Sequence, residues 1–329
     1  MLPLRQNLKH LFALSIGLST LFGPVTSHAD TDFPNRPVTI IVPVPAGGST
    51  DRGARLIARS LQARWKQSVV IDNKPGASSN IGTALVAKAA PDGYTLLMSG
   101  GPFSINPSLH PSLPFDTRKA FTPIAQVTSF SAVLLAHPSF PARTFEEFLA
   151  LARRPGSPIT YASPGSGTAQ HLTMELLRSS AKLHLNHVPY KGGAPAINDL
   201  LGGHVPVLMI GMGEASPFLA TNRVHALVTT GRTRSPLTPN VPTLQELGML
   251  DFDTSGWSGL HAPAGTPADI ISKINADVVA TLAEPAVRQG LAAMDVEPRP
   301  GSVNDFRLFV EQQFAKWKDA VAVSGARPD

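Results

Sequence analysis

The chain has 329 residues and no cysteine, so neither disulfides nor thiolate metal sites are open to it. It carries 28 Lys and Arg against 23 Asp and Glu, a mild excess that suits attraction of small anions. No Lys/Arg cluster interleaves with aromatic residues, which excludes nucleic acid as a partner.

Taken in chain order, the first segment is a targeting signal. Arg5, Lys9 and His10 form a basic head, Leu11 to Gly23 an uncharged and mostly apolar run, and Ser27 to Ala29 the small residues a signal peptidase reads. The run is short for a bilayer span. A signal peptide over residues 1–29, cleaved near Ala29, is therefore expected, leaving a chain that works outside the cytoplasm.

Short β-type runs then alternate with amphipathic helical segments. "VTIIV" (Val38 to Val42) precedes a helix over 52–65, in which Ala54, Ile57, Ala58, Leu61 and Trp65 recur at helical spacing. "SVVIDN" precedes a helix over 81–89, and "YTLLM" follows it. The β-α-β-α-β order predicts a parallel, helix-covered sheet. A second series repeats the architecture: "PITYAS", a helix over 168–179, "LNHVPY", a helix over 194–201, and "VPVLMI". Two β-rich stretches, 121–139 and 251–267, flank this second series, and helices over 268–283 and 303–323 close the chain. The pattern predicts an α/β protein of two lobes joined by two crossover strands. Residues 30–128 plus 255–329 would form lobe one and 129–254 lobe two.

Four strand-to-helix junctions share one recipe of glycines followed by small hydroxyl or amide residues. They are "PAGGSTD" with Thr50, "NKPGASSNIGT" with Ser79 and Asn80, "SPGSGTAQH" with Ser163, Ser166 and Thr168, and "YKGGAPAIND" after Lys191. One such glycine is more often a tight turn than a binding loop. Four in matching places would line one edge of the sheets with N–H donors and positive helix ends, a setting for an anion. No loop ends in the Lys-Ser/Thr of a phosphate cradle and none reads G-x-G-x-x-G, so a carboxylate fits better than a nucleotide. Asp51 is expected to serve its own helix as a cap or first-turn charge.

Catalytic and metal readings find little support. Neither "GSG" at Ser166 nor "GWSG" at Ser258 completes a G-x-S-x-G elbow. His171 is expected as a donor bracing its own loop. His184 and His187 form an H-x-x-H without the glutamate of H-E-x-x-H. Lys191 reads equally as a cleft cation or a solvated loop charge. Trp65 and Trp257 read as core or hinge packing.

The segments "FPNRPVTIIVPVPAGGSTD", "NKPGASSNIGTALVAKAAPDGYTLL", "INPSLHPSLPFD", "YASPGSGTAQHLTMELL", "VPYKGGAPAINDLLGGHV" and "GWSGLHAPAGTP" resemble the substrate-binding proteins of tripartite tricarboxylate transporters, the Bug-type family. The likeness runs in order along essentially the whole mature chain. It implies a periplasmic, type II two-lobed binding protein that closes on a small organic acid: a di- or tricarboxylate, an amino acid or an aromatic acid. It also implies membrane permease subunits as partners, with no cofactor and no bond chemistry. In the family the loop equivalent to Ala46, Gly47 and Gly48 holds a ligand carboxylate, and the loops at Ser79–Asn80 and Ser163–Thr168 contribute from either side. Relatives often carry an Asp-Asn pair where this chain has Ile210 and Gly211, which puts any pairing of a ligand amine there in doubt. Ligand-binding positions are thus expected at Ala46, Gly47, Gly48, Thr50, Ser79, Asn80, Ser163, Ser166, Thr168, His171, Lys191, Ile210 and Gly211. A sensory partner of a membrane receptor and a hydrolase using the same cleft remain the alternatives.

Overall fold

Each inner strand buries both of its faces, and the sequence period of two assigns them. In β1 (Val38–Val42), Val38, Ile40 and Val42 join one core cluster while Ile41 joins another on the opposite side. In β8 (Val207–Gly211), Val207 and Met209 point to one cluster and Leu208 and Ile210 to a second. A strand apolar on both faces needs helices on both sides, and the alternating order supplies them.

The computed structural model describes residues 33–110, 112–156, 158–249 and 254–327. The expected signal peptide and its cleavage point lie outside the described residues. Strands form a six-stranded sheet, order β11-β4-β10-β3-β1-β2, and a five-stranded sheet, order β7-β6-β8-β5-β9. The first sheet contains β2 (Val69–Asn73), β3 (Thr95–Gly100), β4 (Phe121–Phe130), β10 (Gly256–Pro263) and β11 (Val296–Pro298) beside β1. The second contains β5 (Ala132–Ala136), β6 (Ile159–Ser163), β7 (Leu185–Pro189) and β9 (His225–Thr229) beside β8.

Neither sheet is wholly parallel. β2-β1-β3 and β7-β6-β8 are parallel trios, while β10, β4, β11 and β5, β9 add antiparallel pairings. The β-rich stretches of the sequence are these antiparallel strands. Chain passage between the sheets occurs at Ser131 and again after Thr229. The two passages are tied together, since Ala132 N–H donates to Thr230 Oγ1 (2.9 Å) and Thr230 N–H to the Ala132 carbonyl (2.9 Å).

Helices α1 (Ser49–Trp65), α8 (Ala268–Ala283) and α9 (Pro285–Ala292) cover one face of the first sheet. The other face takes α2 (Asn80–Ala87), α3 (Gly101–Leu109) and α10 (Val303–Ser324). On the second sheet α4 (Phe145–Ala152) and α5 (Ala169–Ala181) lie opposite α6 (Gly193–Leu201) and α7 (Met212–Leu219). The last helix belongs to both halves: Trp317 and Ala320 of α10 share a buried cluster with Ile105 and Leu109 of α3 and Leu172 of α5. No helix among the described residues is long and apolar enough to cross a membrane.

Candidate functional site

The carboxyl edges of the parallel trios face one another, and a cavity of about 120 Å³ lies between them. Four helix starts reach it. Thr50 comes from the first turn of α1, Ser79 is the N-cap of α2, Gly100 and Gly101 open α3, and Thr168, Ala169 and Gln170 open α5. The starts of α3 and α5 meet head to head, so that a Cβ on Gly101 would sit 3.8 Å from the Cβ of Ala169. Met98, Phe103, Phe130 and Trp257 supply an apolar wall. Among the described residues no Asp, Glu, Lys, Arg or His lines the cavity. Polarity there comes from hydroxyls, the Gln170 amide and the positive ends of the helices.

The loops are shaped for this. From Gly76 to Ser79 the backbone is left-handed throughout, with φ of 115°, 46°, 52° and 73°. Three non-glycine residues in that region store strain, which is tolerated where the surroundings fix it. Asn106 fixes it here, because its Nδ2 donates to the Ser78 carbonyl (2.7 Å) and to Asn80 Oδ1 (2.8 Å). Asn80 is thereby spent on anchoring α2 to α3 and does not line the cavity.

The first loop is braced by Asp51, which is 2% exposed. Burial alone would raise its carboxyl; hydrogen bonds from Arg55, the Gly47 N–H (2.9 Å) and Asn73 outweigh that and hold it below the usual carboxylate range. The Gly47 donor is thus used inside the protein. Ala46, Gly47 and Gly48 flank the cavity without lining it, while Pro43, Val44 and Thr50 do line it.

In the third loop Thr168 Oγ1 caps α5, accepting from His171 N–H (3.3 Å), and donates to the Gly165 carbonyl (2.8 Å). His171 braces this loop, but as an acceptor rather than the expected donor: Gly167 N–H donates to its Nδ1 (3.0 Å). Its ring stacks on His187 at 3.9 Å, and His187 stacks on Tyr161 at 4.9 Å. Ser163 is fully buried and bonds His187 Nε2 (2.7 Å). Ser163 and His171 therefore stand behind the loop, and Ser166 is half-buried without lining the cavity. Gly167 (φ 72°) lies so close to Leu109 that a Cβ would collide with that side chain.

The fourth loop lies elsewhere. Lys191 is exposed and outside the cavity. The Glu214 carboxylate, from the first turn of α7, packs against Gly193 at the start of α6, where a Cβ would overlap it. Burial raises the pKa of Glu214, and Arg52 opposes the shift. That helix start therefore has one of the protein's own acids beside it. Ile210 is a core residue under α6, and Gly211 is the N-cap of α7; neither lines the cavity. The fourth helix start at the cavity is instead α3, after "MSGGPFS", the same Gly-rich junction read at the other loops. Gln170, Phe130 and Trp257 also line it; Trp257 is buried as the sequence suggested and faces the cavity as well. Among the described residues no group of three or more His, Asp or Glu is placed to hold a metal.

The family model described as "Tripartite tricarboxylate transporter family receptor" matches residues 53–325. Protein BugT of Bordetella pertussis is 35% identical over 328 residues, covering 98% of this chain and 99% of that protein. The structure of R. palustris Rpa4515 with adipate has a TM-score of 0.83 at 32% identity, covering 90% of this chain and 100% of that one. MatC from Rhodopseudomonas palustris with bound malate has a TM-score of 0.78 at 34% identity, covering 88% and 100% respectively.

Proposed function

The chain belongs to the tripartite tricarboxylate transporter receptor family, and from that premise we propose that it is a periplasmic receptor that captures a small organic carboxylate and passes it, chemically unchanged, to membrane permease subunits. The two sheet-centred halves act as lobes, 30–128 with 255–329 and 129–254, that close over the acid about the paired chain passages. The observation that carries this reading is the convergence of four helix starts on one cavity that, among the described residues, no charged side chain lines. Each start favours an anion by about 0.3–1 kcal/mol when exposed and up to about 2 kcal/mol when partly buried.

The lining also argues for the ligand class. A zwitterionic amino acid would bury an ammonium with no acid in the wall to pair it, which is costly. An acid without an amine avoids that cost, and its carbon body matches Met98, Phe103, Phe130 and Trp257.

A thermal-shift screen of the mature chain, followed by calorimetry, tests both statements. A ligand at 100 times its Kd stabilises by about 2.7 kcal/mol. Adipate, malate, citrate or benzoate should raise the melting temperature, and mass spectrometry should recover the bound acid intact. A response only to aspartate or glutamate would overturn the amine-free assignment, and no response to any carboxylate would overturn the receptor reading.

A further inference from the structure

We propose, resting on the carboxylate reading above, that Phe130 sets the length of acid the receptor accepts, by closing the interlobe cavity off from a larger cavity on the hinge side. Phe130 is the last residue of β4, just before the chain passes into the second half. It lines the interlobe cavity of about 120 Å³ and also a neighbouring cavity of about 450 Å³. The larger one lies between the chain passages, the loop after β9 and the α9–β11 turn. Among the described residues Phe130 is the one lining residue that the two cavities share.

Sheet register places the residue between them. Phe130 pairs with Gly256 of β10 on one side and with Val296 of β11 on the other. Gly256 lines the interlobe cavity and Val296 lines the larger one. A Cβ on Gly256 would overlap the Phe130 ring at Cε2 and Cζ, so the ring lies across that glycine and uses the space a side chain would fill. The ring also packs against the core cluster of the first half that contains Val296. It is therefore a fixed end wall, held by its own sheet.

A rigid aromatic end wall selects by length. One methylene too many or too few in an apolar pocket is worth roughly 10–200-fold, and close-packed surroundings give a longer chain no spare volume. Met98 and Phe103 also wall the interlobe cavity, but neither lines the larger one, so trimming them widens the site without opening it towards the hinge. Trimming Phe130 removes the shared wall. Beyond it, Ser129, Ser131 and Gln289 mix with Leu237 and Val296, a lining that can solvate the far carboxylate of a longer acid and cover part of the chain leading to it.

Calorimetry of the full mature chain with the straight-chain diacids from succinate to sebacate tests this. Wild-type affinity should fall once the acid outgrows the interlobe cavity. Phe130→Ala should move the optimum to a longer acid and bind the longest members at least about tenfold more tightly than the wild type does, while losing affinity for the shortest. Phe130→Leu, the milder variant should Phe130→Ala fold poorly, should shift the optimum in the same direction by less. Phe103→Leu trims a wall residue that the larger cavity does not share and should not extend the accepted length. An unchanged length profile in the Phe130 variants, or an equal extension in Phe103→Leu, overturns the assignment to Phe130. Wild-type protein that binds no member of the series overturns it as well, and its response to the acids of the thermal-shift screen reports on the receptor reading separately.

Discussion

His261 sits on β10 inside a ring of phenylalanines: Phe103 at 4.4 Å, Phe306 at 5.0 Å and Phe121 at 6.3 Å between ring centroids. One nitrogen, Nδ1, lies 2.9 Å from Ser99 Oγ, while Nε2 is buried without a partner. Burial pushes its pKa from 6.5 down to about 3. The unfolded chain takes a proton on this ring near pH 6.5, whereas the folded chain resists until about pH 3. The stability it contributes is complete above 6.5 and is lost as pH falls towards 3, on the order of a few kcal/mol. Urea unfolding across that window should lose about one proton of pH slope in His261→Phe. An unchanged slope would show that the ring is not held neutral. At the cavity, Ser79→Asp keeps a side chain that tolerates the left-handed backbone and favours an N-cap, yet adds a charge facing the ligand. It should leave the melting temperature within a few degrees and lower carboxylate affinity more than tenfold, while the neutral Ser79→Asn should change affinity much less. Equal losses in the two variants would remove electrostatics as the cause.

At the scale of elements, the legible parts were those with period and punctuation. The helix expected over 268–283 matches α8 at both ends, and the apolar repeat from Ala54 to Trp65 lies within α1, which begins three residues earlier than expected. Helices α3, α4, α7 and α9 were not expected; Pro107 and Pro217 interrupt α3 and α7, whose apolar residues do not repeat at helical spacing, and α4 and α9 are only eight residues each. Missing α3 also misplaced the fourth helix start, which was assigned to α6. The glycine recipe marks a helix start but not whether the start meets a ligand or an internal acid such as Glu214; only tertiary placement decides that. Local chemistry does explain one end of the last helix. Ser302 starts α10 in a reciprocal capping box with Asp305, accepting its N–H at 3.1 Å. Ser302→Ala should cost about 1 kcal/mol in chemical denaturation, and a neutral result would mean that packing alone holds that end.

For the whole molecule, α10 is the element that sequence reading placed correctly without revealing its importance. Trp317, 1% exposed, is buried where α10 meets α3 and α5, so one side chain packs against helices of both halves. Trp317→Ala should cost about 3–5 kcal/mol and broaden the unfolding transition as the halves lose their shared core. A loss below about 1 kcal/mol would show that the hinge segments alone couple them. The interlobe cavity has a consequence of a different kind. A wall to which the described residues bring no ionisable side chain does not titrate, and fixed dipoles at helix starts are not neutralised by a proton. For a cargo that is itself fully ionised, affinity should stay level between about pH 6 and 8, above the carboxylate range, and calorimetry across that interval checks it. Mild acidification outside the cell would then leave such a receptor loaded. On the receptor function proposed above, unloading would then be mechanical: a membrane partner would pry the halves apart, and the work of delivery would fall on the docking event instead of on the chemistry of the surrounding water.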